Sequence, residues 1–497
     1  MTSTTSIAVV ASAADEARDV VEAVLDAIAI PVLAYFVLIS TSLLILILLA
    51  AWEFSHHLRR IAFARREEKV SSLLAPGISV IVPMYNEQAG IVASIMSLLA
   101  LRYPRHEVVV VDDGSTDDGF GTLREAFDLV EVRREIPDDI PSQLGASSVH
   151  VPRDGWTRLT VIRKDNSGRS ESVNVGINAA TEELIVLVDA DSILEPDALI
   201  TVTKPFADDP TRVVATGGVV RVANGCNVRS GRVTTARMPT TWLPRIQVVE
   251  YLRAFYLGRA GWSRLRALIL ISGAFGVFRR DVVVEVGGLD RHSIGEDFEL
   301  VMRVHRHLRR KKRLYDIRFV AEPVCWTEVP STLRVLRRQR SRWHRGLWET
   351  LWTYRGMTMN PRYGRVGMIA LPYYWLFELV APLIEFFGLL FVLVGLALGV
   401  INVPYAMLFL LVAYGYSMLV TLASLTIEEL SFHRYSRWRD LGVTAVAAVI
   451  ENVGYRQATV WWRLEGWWSS LTRRRAVWGT MTRQGFVDDV GATSGGE

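Results

Sequence analysis

HEVVVVDDGSTDD, residues 106–118, places four consecutive valines directly before two aspartates and a Gly-Ser turn. A run that is apolar on both faces suits a strand buried in a parallel sheet between helices, and its polar end falls where such sheets bind ligands. Three other stretches repeat the pattern: ISVIVP (78–83), TRLTVIRKD (157–165) and EELIVLVDAD (182–191). Helical patterns fill the intervals. Residues 77–330 therefore read as an α/β unit with a parallel sheet and with carboxylates collected at one end.

The rest of the chain has a different solvent. Half of its 497 residues are hydrophobic, 15 are Trp, and the mean hydropathy is +0.22, which indicates a membrane protein with a water-soluble part. The net charge of +4 is too small to support nucleic-acid binding. Cys226 and Cys325 stand far apart, which argues against a disulfide framework or a zinc site and for a reducing compartment. Residues 30–52 carry no charge and are long enough to cross a bilayer; the run is too long, and its leader too acidic, for a cleaved signal. Asp15, Glu16, Asp19, Glu22 and Asp26 precede it, and Arg59, Arg60, Arg65 and Arg66 follow. This asymmetry predicts residues 1–29 outside, a basic juxtamembrane linker at 53–76, and the α/β unit in the cytoplasm. Residues 331–365 read as interface helices and 366–427 as two further spans, interrupted by Glu378 and Glu385. Residues 428–472 read as a cytoplasmic loop and an interfacial segment, and 473–497 as a cytoplasmic tail. An odd number of crossings keeps the two termini on opposite sides; three fit best and five are the alternative.

Asp112 and Asp113 end one predicted strand; Asp189 and Asp191 end another. Alternation along an extended chain points 189 and 191 to the same side, where two carboxylates can hold Mg²⁺ or Mn²⁺ against a diphosphate. The plainer role for one of them is a helix cap. Glu296 and Asp297, in SIGEDFELVMR (293–303), open an amphipathic helix whose N-terminus favours an ionised carboxylate, the state a general base needs.

As a set, PMYNE (83–87), DDGS (112–115), DAD (189–191), GED (295–297) and QRSRW (339–343) resemble, in order and spacing, the family 2 inverting glycosyltransferases. They are most similar to the membrane-integrated processive type that includes cellulose, chitin and hyaluronan synthases. NSGRSESVNVGIN (166–178) resembles a further family segment, with Arg169 where a Lys is usual. The resemblance implies a GT-A (Rossmann-like) α/β domain in the cytoplasm joined to α-helical transmembrane and interface helices at the inner membrane. It implies a nucleotide-sugar donor, a polysaccharide acceptor and a divalent cation. By the same resemblance Pro83, Tyr85, Glu87, Asp112 and Asp113 hold the nucleoside, Asp189 and Asp191 the sugar and metal, and Asp297, beside Glu296, the acceptor proton. Either cation type at 169 can meet a diphosphate.

On a helix Gln339, Arg342 and Trp343 share a face, so that Gln339 and Arg342 meet the diphosphate and Trp343 supports a sugar. Arg334, Arg337, Arg338, Arg340 and Arg345 fall on other faces and are expected at anionic lipid. ISGAF (271–275) resembles the acceptor-side loop, with Gly273 toward the acceptor and Phe275 either at the channel entrance beside it or packed in the core. WGTMTR (478–483) resembles the gating loop of hyaluronan synthases, with Arg483 closing over the diphosphate; a plain amphipathic membrane anchor is the alternative. Two other readings stay open: transfer of one sugar to a polyprenyl-phosphate or other lipid, and an inactive scaffold subunit of an envelope complex. Export or nucleotide-messenger control would call for partner proteins.

Overall fold

A computed structural model describes residues 2–61, 75–229, 231–253, 258–400, 402–432 and 438–472. Strands β1 (Ile78–Met84), β2 (His106–Asp113), β3 (Leu129–Val132), β4 (Ser148–Pro152), β5 (Leu159–Lys164), β6 (Leu184–Val188), β7 (Ile193–Leu194) and β8 (Val213–Val222) are followed by a hairpin, β9 (Asn227–Arg229) and β10 (Arg232–Thr235). β11 (Phe275–Arg279) and β12 (Asp316–Thr327) complete the set, and the main sheet runs β3-β4-β5-β2-β1-β6-β11-β8-β12-β7. The four strands expected from sequence lie side by side as β5-β2-β1-β6, all parallel.

Beyond β6 the parallel expectation fails. β11 pairs antiparallel with both β6 and β8, so the sheet is mixed. The cause is the chain's path: it enters β11 from the loop at 271–274, at the carboxyl end of β6, and can only run back. Phe275 consequently pairs with Val188, which sets Gly273 beside the turn holding Asp189.

Eight helices matter to the site: α1 (Thr2–Ile61), α2 (Arg169–Ala179), α3 (Trp242–Tyr251), α4 (Arg259–Arg264), α5 (Glu296–Arg310), α6 (Leu333–Thr353), α7 (Trp438–Ile450) and α8 (Arg456–Leu471). Val108–Val111 are at most 1% exposed, as expected of a strand covered on both faces. One core layer joins Ile81 to Val173 and Ile177 of α2, and the other joins Val80 and Val82 to Ile95 and Leu98. Gly176 lets α2 settle onto the sheet, since a Cβ there would stand 2.5 Å from Ile81 Cγ2.

Among the described residues three helical stretches are long and apolar enough to cross a membrane: Arg18–Trp52, Val366–Leu398 and Val403–Thr426. Glycines weld them to the α/β unit. A Cβ on Gly261 of α4 would stand 2.7 Å from the Leu46 carbonyl oxygen of α1. One on Gly466 of α8 would stand 2.3 Å from the Ser341 oxygen of α6. Between α7 and α8 the helix breaks at Val453 and at Gly454, whose φ of 79° only glycine adopts at little cost.

Candidate active site

Two loops at the carboxyl ends of β1 and β2 are stitched into one wall. Asn86, in the left-handed region at φ 56°, accepts from the Thr116 amide at 2.8 Å through its side chain, and its own amide donates to Ser115 Oγ at 3.1 Å. Gln88 N donates to Asp117 Oδ2 at 2.9 Å. Pro83, Tyr85 and Glu87 line a large cleft here, and Tyr85 is 45% exposed. Asp113 lines it too, but its carboxylate anchors the next loop, accepting from Lys164 Nζ at 2.6 Å and from the amides of Ser167 and Gly168 at 3.0 and 2.9 Å. Asp112 is 1% exposed and turned back to the Ser115 amide and Arg163, away from the cleft. Of the two adjacent acids, only Asp113 reaches the cavity because successive side chains on a strand point oppositely.

The loop held by Asp113 delivers Arg169 to the centre. Its guanidinium donates to Asp189 Oδ1 from Nε at 3.0 Å and from Nη2 at 2.8 Å, to Glu296 Oε1 at 2.9 Å, and to the Gly273 carbonyl at 2.8 Å. Burial opposes its charge, but Asp189 and Glu296 outweigh that and hold it more basic than a free Arg. Burial likewise pushes Glu296 up, against Arg169 and with help from Asp297. Arg169 is thus the clasp that lets two acidic elements coexist.

Asp189 and Asp191 both line the cleft, though not by strand alternation. β6 ends at Val188, and residues 189–192 form a turn closed by Ser192 N donating to Asp189 O at 3.0 Å. The extended-chain geometry is corrected accordingly. Among the described residues no group of three or more His, Cys, Asp and Glu forms a protein-only metal cage. Two carboxylates completed by phosphate oxygens and water still match what Mg²⁺ accepts, so the donor set fits a cation that arrives with a diphosphate.

Asp297 sits at the first turn of α5, where Oδ1 accepts from the Phe298 amide at 2.8 Å. Gly273 packs directly on it: a Cβ there would stand 3.1 Å from Asp297 Oδ2. Phe275, two residues on, is fully buried in the core beneath the sheet. Its expected place at the acceptor is corrected: strand pairing with Val188 turns the ring inward.

α6 closes the cleft from above. Gly346 meets Gly295, and a Cβ at 346 would stand 3.1 Å from Gly295 N, so the helix approaches the GED turn backbone to backbone. Gln339, Arg342 and Trp343 all line the cleft as one face. Trp343 is 40% exposed. Burial lowers Arg342's basicity, against the pull of Glu296 and Asp189. Arg340 does not meet lipid: it is 8% exposed, donates to Glu250 Oε2 at 2.6 Å, and lies 4.6 Å from the Trp343 ring centroid. Arg337 and Arg345 pair with Glu465 and Glu349. The Arg483 segment lies outside the described residues.

The cleft does not stop at the acids. Its volume of about 1680 Å³ continues past α6 among Glu250, Tyr374, Glu378, Glu385, Ser417 and Arg456, with Leu43 and Leu46 of α1 on one side. Arg456 donates to Glu385 at 2.9 and 3.0 Å, Arg253 to Glu451 at 2.5 and 3.0 Å, and Arg463 approaches Glu378 at 3.5 Å. Motif reading missed these residues, yet the charges interrupting apolar segments were their signal. Arg259, also in the wall, is lowered by burial to about 10 and announced itself by no motif.

A family model described as glycosyltransferase like family 2 matches residues 76–346. A poly-beta-1,6-N-acetyl-D-glucosamine synthase of Staphylococcus aureus (strain COL) is 28% identical over 275 residues, 55% of each chain. The Staphylococcus epidermidis protein of the same name is 26% identical over the same length. The chain spans about half the length of the curated relatives it matches. A mannosyltransferase from Pyrobaculum calidifontis, solved with GDP-Man and Mn²⁺, superposes with a TM-score of 0.49 at 16% identity, over 89% of this chain and all of that one.

Proposed function

The chain belongs to glycosyltransferase-like family 2, and from that membership we propose a membrane-bound inverting transferase that extends a β-linked polysaccharide and passes it across the inner membrane. One observation carries the polymer part: the cleft that gathers Asp189, Asp191, Glu296 and Asp297 is continuous with a cavity between the membrane helices, lined by both charged and apolar side chains. Transfer to a lipid carrier needs no such cavity. In this reading the α/β unit is cytoplasmic, of GT-A type, and the N-terminus lies outside.

The donor's nucleoside lies against Tyr85, with Pro83 and Glu87 beside it, and Asp113 and Arg169 act as supports. Asp189 and Asp191 would hold a divalent cation, and the chemistry it would supply there is to offset charge on the diphosphate. Asp297 takes the proton of the acceptor hydroxyl; that oxygen bonds to the anomeric carbon as the bond to the diphosphate oxygen breaks. The leaving nucleoside diphosphate keeps the electron pair, and the Arg342 guanidinium, in the wall nearby, stabilises it. In-line attack inverts the carbon. Trp343 stacks on the acceptor sugar.

The relatives' name makes UDP-N-acetylglucosamine the first donor to try. Reconstituted full-length protein is given a panel of UDP- and GDP-sugars with Mg²⁺ or Mn²⁺, and released nucleotide and product length are measured. A long product is expected. A single glycolipid would refute the polymer reading, and nucleotide release unchanged in Asp297→Asn would refute the catalytic assignment.

A further inference from the structure

His344 follows Trp343 in α6 and turns to the other side, where α8 builds the wall. It is 3% exposed and lines the cavity. Arg463 Nε stands 3.4 Å from His344 Nδ1. A guanidinium has only donors, so Nδ1 must accept and the ring proton belongs on Nε2. Among the described residues that Nε2 has no hydrogen-bond partner. Burial first, and the Arg463 charge second, depress the imidazole to about 2, so it is neutral at any working pH and carries an N–H rather than a charge.

An unpaired buried donor costs the fold stability, and native structures keep one where something else supplies the acceptor. Its surroundings narrow what that is. The nearby wall charges are matched in pairs: Arg340 with Glu250, Arg456 with Glu385, Arg463 with Glu378. Among the described residues, the hydrogen-bonding capacity left over beside Trp343 is the His344 N–H, Gln339 Oε1, a buried acceptor likewise without a partner, and the Nε of the otherwise paired Arg340. Five residues apart on a helix, His344 and Gln339 face directions roughly 140° apart. They therefore do not share one atom of a ligand; they address different parts of a chain that passes Trp343.

We infer that His344 Nε2–H donates a hydrogen bond to an uncharged oxygen, hydroxyl or amide carbonyl, on the sugar behind the one stacked on Trp343, and so retains the glycan between additions. This rests on the polymer reading above. His344 is a specificity-determining contact to the acceptor strand.

Full-length protein in liposomes is compared as wild type, His344→Phe, which keeps the ring without a donor, and His344→Gln, which restores an N–H. The donor is UDP-N-acetylglucosamine, or whichever sugar of the panel the wild type turns over, and the acceptor is a short oligosaccharide of that sugar. His344→Phe raises the acceptor KM about tenfold, the worth of one hydrogen bond, and shortens the product. Donor KM and acceptor-free donor hydrolysis stay at wild-type values, and His344→Gln recovers most of the product length. Wild-type product length and acceptor KM in His344→Phe overturn the inference. Loss of donor hydrolysis in both variants also overturns it, since that marks a packing role. If the wild type adds only one sugar, the polymer reading has failed, and an unchanged acceptor KM in His344→Phe is then what refutes the contact itself.

Discussion

Gly346 offers the sharpest test of how α6 and α5 are held together. Replaced by Ala, its Cβ would stand 3.1 Å from Gly295 N, 3.2 Å from Gly295 Cα and 3.6 Å from the Ile294 carbonyl carbon. All of these are backbone atoms, so no rotamer change relieves them, and the helices must part by several tenths of an ångström. Two consequences pull in opposite directions. Gly→Ala within a helix is favourable by about 1 kcal/mol, while crowding a packed contact costs about 1–3 kcal/mol. The net effect on stability is a loss no larger than about 2 kcal/mol. Catalysis is more sensitive: a 1 Å misplacement costs on the order of 100-fold, so half of that costs about tenfold. Gly346→Ala is therefore expected to fold, to bind donor normally, and to transfer sugar about ten times more slowly. Gly346→Val, with two more methyls against backbone, should lose at least another tenfold by the same reasoning. The assay is initial nucleotide release with saturating acceptor, beside a thermal melt in detergent. Full activity in Gly346→Ala would refute the claim that this contact sets the distance between Arg342 and Asp297.

Arg169→Ala should be poorly tolerated, losing about 3 kcal/mol because the buried Glu296 is left without its counter-charge and the half-buried Asp189 without its partner, whereas Arg169→Lys should fold and show weakened donor binding; melting temperature and donor KM separate the two. Asp113→Ala strands the fully buried Lys164 ammonium and should destabilise by a similar amount, read as a lower melting temperature, while Asp112→Ala affects donor KM little. His344, held near 2 when folded against 6.5 as a free imidazole, binds a proton in the unfolded state first as pH falls below 6.5. Stability therefore drops on acidification by up to about 1.4 kcal/mol per pH unit, and melts at pH 5 and 7.5 should differ less in His344→Gln. His305, held near 4, adds to the same trend in both proteins.

The residues that could be read from sequence are those whose chemistry acts locally. Short apolar runs announced β1, β2, β5 and β6, and the i, i+3, i+4 spacing put Gln339, Arg342 and Trp343 on one face. What could not be read depended on chain path. β8 and β12 carry Gly217, Gly218 and Pro323, which dilute a strand signal, and the reversal at β11 is decided by where the preceding loop ends. That reversal turned Phe275 into core. Partners beyond about ninety residues, such as Glu250 for Arg340 or Glu465 for Arg337, leave no local trace, so arginines assigned to lipid turned out to be tied to protein.

The pairing of α8 with the rest of the membrane region bears on how the protein is made. Its Arg456 and Arg463 meet Glu385 and Glu378, and its Gly466 meets α6, so the far wall of the cavity is the last part to be synthesised. While the ribosome is still at work, the sheet and its acids can fold, but the cavity beside them has one side missing. The two unpaired glutamates of the second span would meanwhile sit in the bilayer region without counter-charges, a cost that favours prompt arrival of α8. Under the proposed reading, catalytic competence then waits on the arrival of α8.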